Sequence, residues 1–278
     1  MSAKPFLKWP GGKRHLLPEI LPRLPKKIKT YYEPFIGGGA VFFALANERR
    51  FGDAVLGDTN IDLVNVYCVV ASGDREKLIA TLFAESLRHS EINYYRVRAQ
   101  LPSTLSRIER ASRFIYLNRT CFNGLYRVNK SGQFNVPFGA YKNPTICDGD
   151  NLRAVSKLLR EAHVEAGVCD FEHVVQTAKK GDAVYFDPPY VPVSATSNFT
   201  AYGKDGFGKE DQIRLRDVAS HLDVRGVHVL LSNSDTPFVR ELYKRDFKIE
   251  KVEAPRRINS KGGKRGNVGE LLISGRKQ

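Results

Sequence analysis

Cysteine is scarce and scattered in this chain. Cys68, Cys121, Cys147 and Cys169 are the four in 278 residues, and no two stand in a C-x-x-C spacing. Disulfides and a zinc site are disfavoured, and a reducing, cytoplasmic location is expected. The six histidines form no H-x-x-x-H or H-x-x-H pair, so no metal is expected. No run of about eighteen apolar residues occurs, which excludes a membrane-spanning helix. The start, Met1-Ser2-Ala3-Lys4-Pro5, has no apolar signal segment. Acids are outnumbered, 30 against 44 Lys and Arg, for a formal net charge of +14. A balance this basic favours a polyanionic partner.

The basic residues are not spread evenly. Between Arg107 and Lys142 there are seven (Arg107, Arg110, Arg113, Arg119, Arg127, Lys130, Lys142) and one acid, Glu109. Phe114, Tyr116, Phe122, Tyr126, Phe134, Phe138 and Tyr141 are interleaved with them. A second basic run holds Arg256, Arg257, Lys261, Lys264 and Arg265. Cations mixed with aromatic rings suit phosphates and bases together, so a nucleic-acid partner is expected. With 42% hydrophobic residues, one large or two modest domains can bury a core.

An apolar run, Asp182-Ala183-Val184-Tyr185-Phe186, reads as a buried strand and ends in Asp187-Pro188-Pro189-Tyr190. Prolines neither continue a helix nor donate to a sheet. They hold the backbone extended and leave carbonyl oxygens outward. The strand end then offers a carboxylate and free carbonyls to the N–H groups of a planar amine, with a ring on which a flat group can stack. Asp and Pro are also common at ordinary strand exits, so Asp-Pro-Pro alone leaves both readings open.

Near the N-terminus, a strand-like run at 31–35 leads through Ile36-Gly37-Gly38-Gly39-Ala40 into a helix at 41–47. A second strand at 54–57 ends at Asp58, 19 residues after Gly39. That is near the spacing of about 20 at which an acid binds ribose hydroxyls. The full G-x-G-x-x-G is missing, and Pro10-Gly11-Gly12-Lys13 lacks the P-loop spacing, so a plain tight turn explains the glycines as well. With Asp58 included, an adenosine-containing cofactor is the expectation.

The rest of the chain alternates. Helices are expected within 61–118, notably 91–101 and 103–118, and at 151–162, 209–222 and 236–244. Strands are expected at 164–169, 183–187, 227–232, 247–254 and 268–273, the last two forming an antiparallel edge hairpin. Segments 125–128 and 133–136 flank the turn Asn129-Lys130-Ser131-Gly132, which predicts a hairpin. The pattern is an α/β sheet interrupted by a basic helical and hairpin insertion.

These motifs together resemble the Dam-type DNA adenine-N6 methyltransferases. The resemblance rests on Phe6-Leu7-Lys8-Trp9-Pro10-Gly11-Gly12-Lys13, on Glu33-Pro34-Phe35-Ile36-Gly37-Gly38-Gly39, and on Asn118-Arg119-Thr120-Cys121-Phe122-Asn123-Gly124-Leu125-Tyr126-Arg127. It continues through Gly132-Gln133-Phe134-Asn135-Val136-Pro137-Phe138-Gly139, Asp187-Pro188-Pro189-Tyr190, a segment over 194–202, and Leu231-Ser232-Asn233-Ser234-Asp235. The motifs keep one order from Phe6 to about Ile273.

The resemblance implies a Rossmann-like S-adenosylmethionine-dependent sheet, with catalytic residues 1–60 and 148–278 and an inserted DNA-recognition domain over 61–147. It implies S-adenosyl-L-methionine as methyl donor and no metal. Trp9, Lys13, Phe35, Gly37, Gly39, Asp58, Asp170, Phe171 and Asp187 would line the cofactor site. Asp187, Pro188 and Tyr190 would hold a flipped-out adenine in double-stranded DNA. Phe122 and Asn123 would enter the duplex, and Lys8, Leu125, Arg127 and Pro137 would read bases, by analogy with GATC. Arg119 and Asn198 would also contact DNA, and the loop over 191–207 would close on the base. Two positions depart from many relatives: Phe122 replaces Tyr, and Ala140 replaces an Arg. An RNA adenine or protein glutamine methyltransferase can share a short pocket of this kind, and a non-catalytic DNA-binding relative is a third reading. The intact Asp187, Tyr190 and glycine turn argue against the last.

Overall fold

The computed structural model describes residues 2–192, 206–254 and 268–276. Asn198, most of the expected closing loop and the basic run over 256–265 lie outside the described residues.

Seven strands form one sheet: β1 (Thr30–Glu33), β2 (Asp53–Asp58), β3 (Val164–Val168), β4 (Ala183–Phe186), β5 (His228–Ser234), β6 (Phe247–Ala254) and β7 (Val268–Gly275). Their order is β3-β2-β1-β4-β5-β7-β6. The first five are parallel, and β7 runs antiparallel to both β5 and β6. Ten α-helices accompany them among the described residues: α1 (Leu17–Ile20), α2 (Ala40–Asn47), α3 (Ile61–Ala71), α4 (Arg75–Leu87), α5 (Glu91–Ala99), α6 (Arg107–Thr120), α7 (Gly149–Glu161), α8 (Phe171–Val174), α9 (Lys209–Val224) and α10 (Pro237–Tyr243). Among the described residues no helix is long and apolar enough to cross a membrane.

Both faces of the sheet are covered, which is why β4 reads as an unbroken apolar run. Alternate residues feed two separate cores. Tyr31, Tyr185 and Leu230 pack on one side with α2, α3, α6 and α7. Tyr32, Val184, Phe186 and Leu231 pack on the other with α8, α9 and α10. The strand order reverses between β1 and β4, whose partners Tyr31↔Ala183 and Tyr32↔Val184 are in register. An α/β sheet opens a crevice at such a reversal, outside the carboxyl ends of the strands. Here those ends are Glu33 and Asp187. β1 stops where Pro34 removes the next N–H, short of the expected Phe35.

The segment between β2 and β3 is mainly helical, as expected, but two details differ. α6 begins at Arg107 and not near Ser103. Ser106 Oγ accepts the Glu109 N–H (3.3 Å) and Glu109 Oε2 accepts the Ser106 N–H (2.9 Å), a capping box that fixes the start. The hairpin over 125–136 contains one isolated bridge, Val128↔Phe134, and no regular strand. The Asn129 side chain accepts the N–H groups of Ser131 (3.0 Å) and Gln133 (2.9 Å), closing the turn beside the backbone bonds Asn129 N–H to Gln133 C=O (2.9 Å) and Asn135 N–H to Arg127 C=O (3.1 Å).

Two arginines of the basic run are structural. Buried Arg113 donates to the carbonyls of Val97 (3.1 Å) and Arg98 (2.9 Å), closing the end of α5. Arg110 pairs with Asp62 on α3.

The turn into α2 depends on Gly39, which has φ +68° and no room for a side chain. A Cβ there would lie 2.8 Å from the Tyr67 hydroxyl and 3.1 Å from the Phe43 ring. Left-handed strain and overpacking together cost about 2–4 kcal/mol. Gly39→Val should lower unfolding free energy by that amount in a urea titration, and an unchanged midpoint would refute the argument.

Candidate active site

Asp187 leaves the buried end of β4 with its carboxylate one-fifth exposed. Lys13 Nζ lies 2.9 Å from its Oδ1, and Ser232 Oγ on β5 donates to the same oxygen at 3.0 Å. Among the described residues nothing donates to Oδ2. The Pro188 carbonyl likewise has no donor among them, whereas the Pro189 carbonyl accepts from Gln212 Nε2 at 2.9 Å. Tyr190 is held by its hydroxyl, which donates to Glu270 Oε2 on β7 at 2.8 Å. Lys13 Nζ sits 4.5 Å from the Tyr190 ring centroid and donates to the Gly11 carbonyl at 2.6 Å. The sequence-predicted Asp187, Pro188, Tyr190 and Lys13 therefore meet at one point.

The glycine turn lies beside them. Trp9 packs on it so closely that a Cβ at Gly37 would fall 2.5 Å from the indole. The other neighbours of the indole are Tyr126 and Phe114, stacked with centroids 5.5 and 6.2 Å away. Asp58 Oδ2 accepts the Gly37 N–H (3.2 Å) and Oδ1 accepts the Asn60 N–H (2.9 Å). Phe35 and Phe171 stack at 5.6 Å, and the Phe207 ring meets Phe35 edge-on at 5.7 Å, forming an aromatic corner. Asp170 caps α8 by accepting the Glu172 N–H (3.0 Å) and is paired with Arg214 Nη2 (2.9 Å). The Arg214 guanidinium also covers the Phe171 ring at 4.5 Å.

A cavity of about 2070 Å³ joins the Asp187 end to this corner. Pockets for one small ligand reach roughly 1,000 Å³, so the space suits two.

Of the predicted DNA-contacting residues that are described, Lys8 and Arg119 line this cavity, and Phe122, Asn123, Leu125, Arg127 and Pro137 lie outside its lining. Asn118 on α6 grips the Lys8 backbone, accepting its N–H (2.8 Å) and donating to its carbonyl (2.6 Å). Lys8 Nζ rests 4.0 Å from the Tyr141 ring centroid. Phe122 is 46% exposed, and its N–H donates to the carbonyl of exposed Pro137 at 2.9 Å. Asn123 follows with φ 55°. Leu125 is half-buried, and exposed Arg127 donates through Nε to Asn135 Oδ1 at 2.7 Å. Arg119 is half-buried in the cavity wall, and burial lowers its pKa.

Sequence reasoning did not single out Gln212, Arg214, Ser232 and Glu270 as site residues. They come from α9, β5 and β7, far along the chain, and only the fold brings Gln212, Ser232 and Glu270 to the Asp187 end and Arg214 to Asp170. Glu33 was quoted only as part of a motif.

Burial dominates the electrostatics. It pushes the Asp187 carboxyl up, while the Lys13 cation and the Ser232 hydrogen bond oppose it. It pushes Asp58 up to about 6 and Glu33 up to about 8. Glu33 Oε2 accepts the Tyr31 hydroxyl at 2.7 Å within the core. A protonated Glu33 avoids placing a second buried anion near Asp187. Glutamate in an unfolded chain titrates near 4.3. Between roughly 4.3 and 8 the folded state therefore binds more protons than the unfolded state. This contribution to stability is complete below about 4.3 and is lost as pH rises through about 8. Glu33→Gln should gain on the parent by up to about 1.4 kcal/mol per pH unit across that window. Urea titrations from pH 5 to 9 measure it, and parallel profiles would rule it out.

Comparison with known proteins agrees with this geometry. The D12 class N6 adenine-specific DNA methyltransferase family matches residues 9–258. The Type II methyltransferase M1.LlaDCHI of Lactococcus lactis subsp. cremoris is 45% identical, covering 99% of this chain and 96% of that protein. The Type II methyltransferase M.MjaIII of Methanocaldococcus jannaschii is 46% identical over 98% and 99%. The DNA adenine methylase of Escherichia coli (strain K12) is 39% identical over 96% and 93%. The chain belongs to the D12 class of N6 adenine-specific DNA methyltransferases.

Proposed function

We propose that the protein transfers methyl from S-adenosyl-L-methionine to N6 of an adenine flipped out of duplex DNA, within GATC. The observation that carries this reading is the acceptor rim. Asp187 Oδ2 and the Pro188 carbonyl have no donor among the described residues, and they open onto the same cavity as the glycine turn. An exocyclic amine has two N–H groups to satisfy such a pair.

The cofactor would supply an electrophilic methyl group on a sulfonium sulfur. The residues present fit an adenosine-bearing molecule. Asp58 has acceptor capacity left for ribose hydroxyls, the half-buried Phe35 ring at the aromatic corner borders the space for a purine, and Trp9 walls the turn. Asp170 stands at the edge of that corner.

The amine lone pair of adenine is delocalised into the ring. Accepting its two hydrogens at Asp187 Oδ2 and the Pro188 carbonyl favours a tetrahedral nitrogen with the lone pair free. As N6 becomes positive, Asp187 compensates the charge and holds the departing proton at Oδ2. Lys13 favours the charged carboxylate and opposes the upward push of burial. Tyr190 provides the stacking ring, fixed by Glu270.

Adenine N6 is paired inside a duplex, so flipping is required, at a cost of about a few kcal/mol. Exposed Phe122, with Asn123, is suited to fill the space left behind. Lys8 and Arg127 suit guanine O6 and N7, and Leu125 and Pro137 suit thymine methyl groups. Residues 61–147 would form the recognition part of the molecule. Ala140 is exposed; if the Arg of relatives binds phosphate, its loss here should weaken DNA binding without changing base preference.

Methyl transfer should appear with a GATC duplex and be at background with a scrambled duplex, RNA or a glutamine peptide. Transfer to RNA or peptide instead would overturn the duplex reading. Asp187→Ala should reduce the single-turnover rate by at least about 10²–10³-fold while DNA affinity stays within about tenfold. Surviving transfer would remove Asp187 from its role. Lys8→Ala should weaken discrimination at one guanine by about 1–3 kcal/mol. Competition between duplexes differing at that base measures it, and an unchanged ratio would exclude Lys8 as reader.

A further inference from the structure

Three successive polar residues on the central strand β5 are almost fully buried: Ser232 and Asn233 at 0% exposure and Ser234 at 3%. Buried polar groups of this kind need partners. All three find them in the segment 187–191. Ser232 Oγ donates to Asp187 Oδ1 (3.0 Å). Asn233 Oδ1 accepts the Val191 N–H (3.3 Å), and Ser234 Oγ donates to the Val191 carbonyl (2.6 Å). A fourth buried polar residue, Gln212 on α9 at 1% exposure, completes the set. Its Nε2 donates to the Pro189 carbonyl (2.9 Å), and its Oε1 accepts from Asn233 Nδ2 (3.0 Å).

The orientation of both amides is forced. A carbonyl only accepts, so Gln212 must turn its NH₂ to Pro189 and its oxygen to Asn233. Asn233 must then turn its NH₂ to Gln212 and its oxygen to the N–H groups of Val191 and Ser234. The chain of donors ends at a carbonyl that would otherwise compete with Pro188 for an amine.

We infer that Gln212, oriented by Asn233, is a positioning residue that occupies the Pro189 carbonyl and thereby aims the Pro188 carbonyl at the substrate amine. The proline ring makes this effective. Because it fixes φ at Pro189, only one soft torsion separates the two carbonyl planes. Anchoring the Pro189 oxygen sets that torsion, and hence the direction of the Pro188 oxygen. The inference rests on the proposed role of Asp187 and Pro188 as holders of adenine N6.

Two near-isosteric variants test it. Gln212→Glu keeps an acceptor for Asn233 and presents an oxygen to the Pro189 carbonyl. Gln212→Met keeps the length of the side chain and removes both bonds. The single-turnover rate on a GATC duplex should fall about 10- to 100-fold in Gln212→Glu, with a smaller loss in Gln212→Met. Cofactor and DNA dissociation constants should stay within about threefold of the parent, since the clamp acts only on the amine acceptor. Asn233→Asp provides the same reading if Gln212→Glu does not fold. It repels the Gln212 oxygen, turns the amide over and should reproduce the rate loss. A folded Gln212→Glu or Asn233→Asp with a rate within about twofold of the parent would overturn the inference. So would rate losses matched by equal losses of both affinities, which would mark a general structural role. Asp187→Ala run alongside separates the two levels. If it is inactive while the Gln212 variants are normal, only this inference fails. If it is active, the reading beneath it fails.

Discussion

The Lys13–Asp187 ion pair is the constraint around which the site is arranged. A carboxylate at the end of a buried strand is costly unless a cation and hydrogen bonds accompany it. Lys13 supplies the cation at 2.9 Å, and Ser232 supplies a hydrogen bond to the same oxygen. One oxygen is thereby committed to the protein and the other is left toward the cavity. Lys13 is itself 96% buried and turns its remaining capacity to the Gly11 carbonyl, so the N-terminal segment cannot leave without stranding a charge. The glycine-rich Pro10-Gly11-Gly12 stretch is thus tied to β4 by electrostatics, and not by any phosphate-binding geometry.

The sheet explains why this pair and the glycine turn are neighbours. The order reverses between β1 and β4, so the two chains leave their strand ends in diverging directions and open a crevice. Glu33 closes the floor of that crevice. Its oxygen takes the Tyr31 hydroxyl, and burial keeps its proton on up to about pH 8. A neutral Glu33 limits the buried negative charge near Asp187 to what Lys13 can balance.

Much of this was legible in the sequence, because strongly periodic or chemically odd segments carry local signals. The seven strands among the described residues stand where apolar runs and turn residues place them, within a few residues, and the last pair is antiparallel as the Gly/Lys/Arg-rich connection implies. The Asp-Pro-Pro-Tyr exit was visible because two prolines at a strand end have few structural uses. What stayed hidden depends on three-dimensional company. Counting arginines from 107 to 142 treats Arg110 and Arg113 as free for phosphate, although one pairs with Asp62 and the other closes α5. A hairpin signal at Asn129-Lys130-Ser131-Gly132 could not reveal that the Asn129 side chain would close the turn by accepting two backbone N–H groups. Gln212 and Glu270 carry no motif of their own, and their roles exist only because α9 and β7 return to the end of β4.

The two ligand sides of the cavity are joined through adjacent residues. Trp9 packs against the glycine turn on one side and against Phe114 and Tyr126 on the other, so its indole bridges the proposed cofactor wall to α6 and the segment beyond it. Lys8, one residue earlier, has its backbone held at both N–H and carbonyl by Asn118 of the same helix. A shift of α6 on engaging DNA would therefore be felt at Trp9 through ring contacts and at Lys8 through hydrogen bonds. Lys13, four residues on from Trp9, is fixed to Asp187, so the segment between them spans the distance from α6 to the end of β4. Such a short, doubly anchored segment allows little independent motion of its ends. The proposed base reader, the proposed cofactor wall and the cation paired with Asp187 are consequently set as one unit, which would place recognition and chemistry under the same packing constraint.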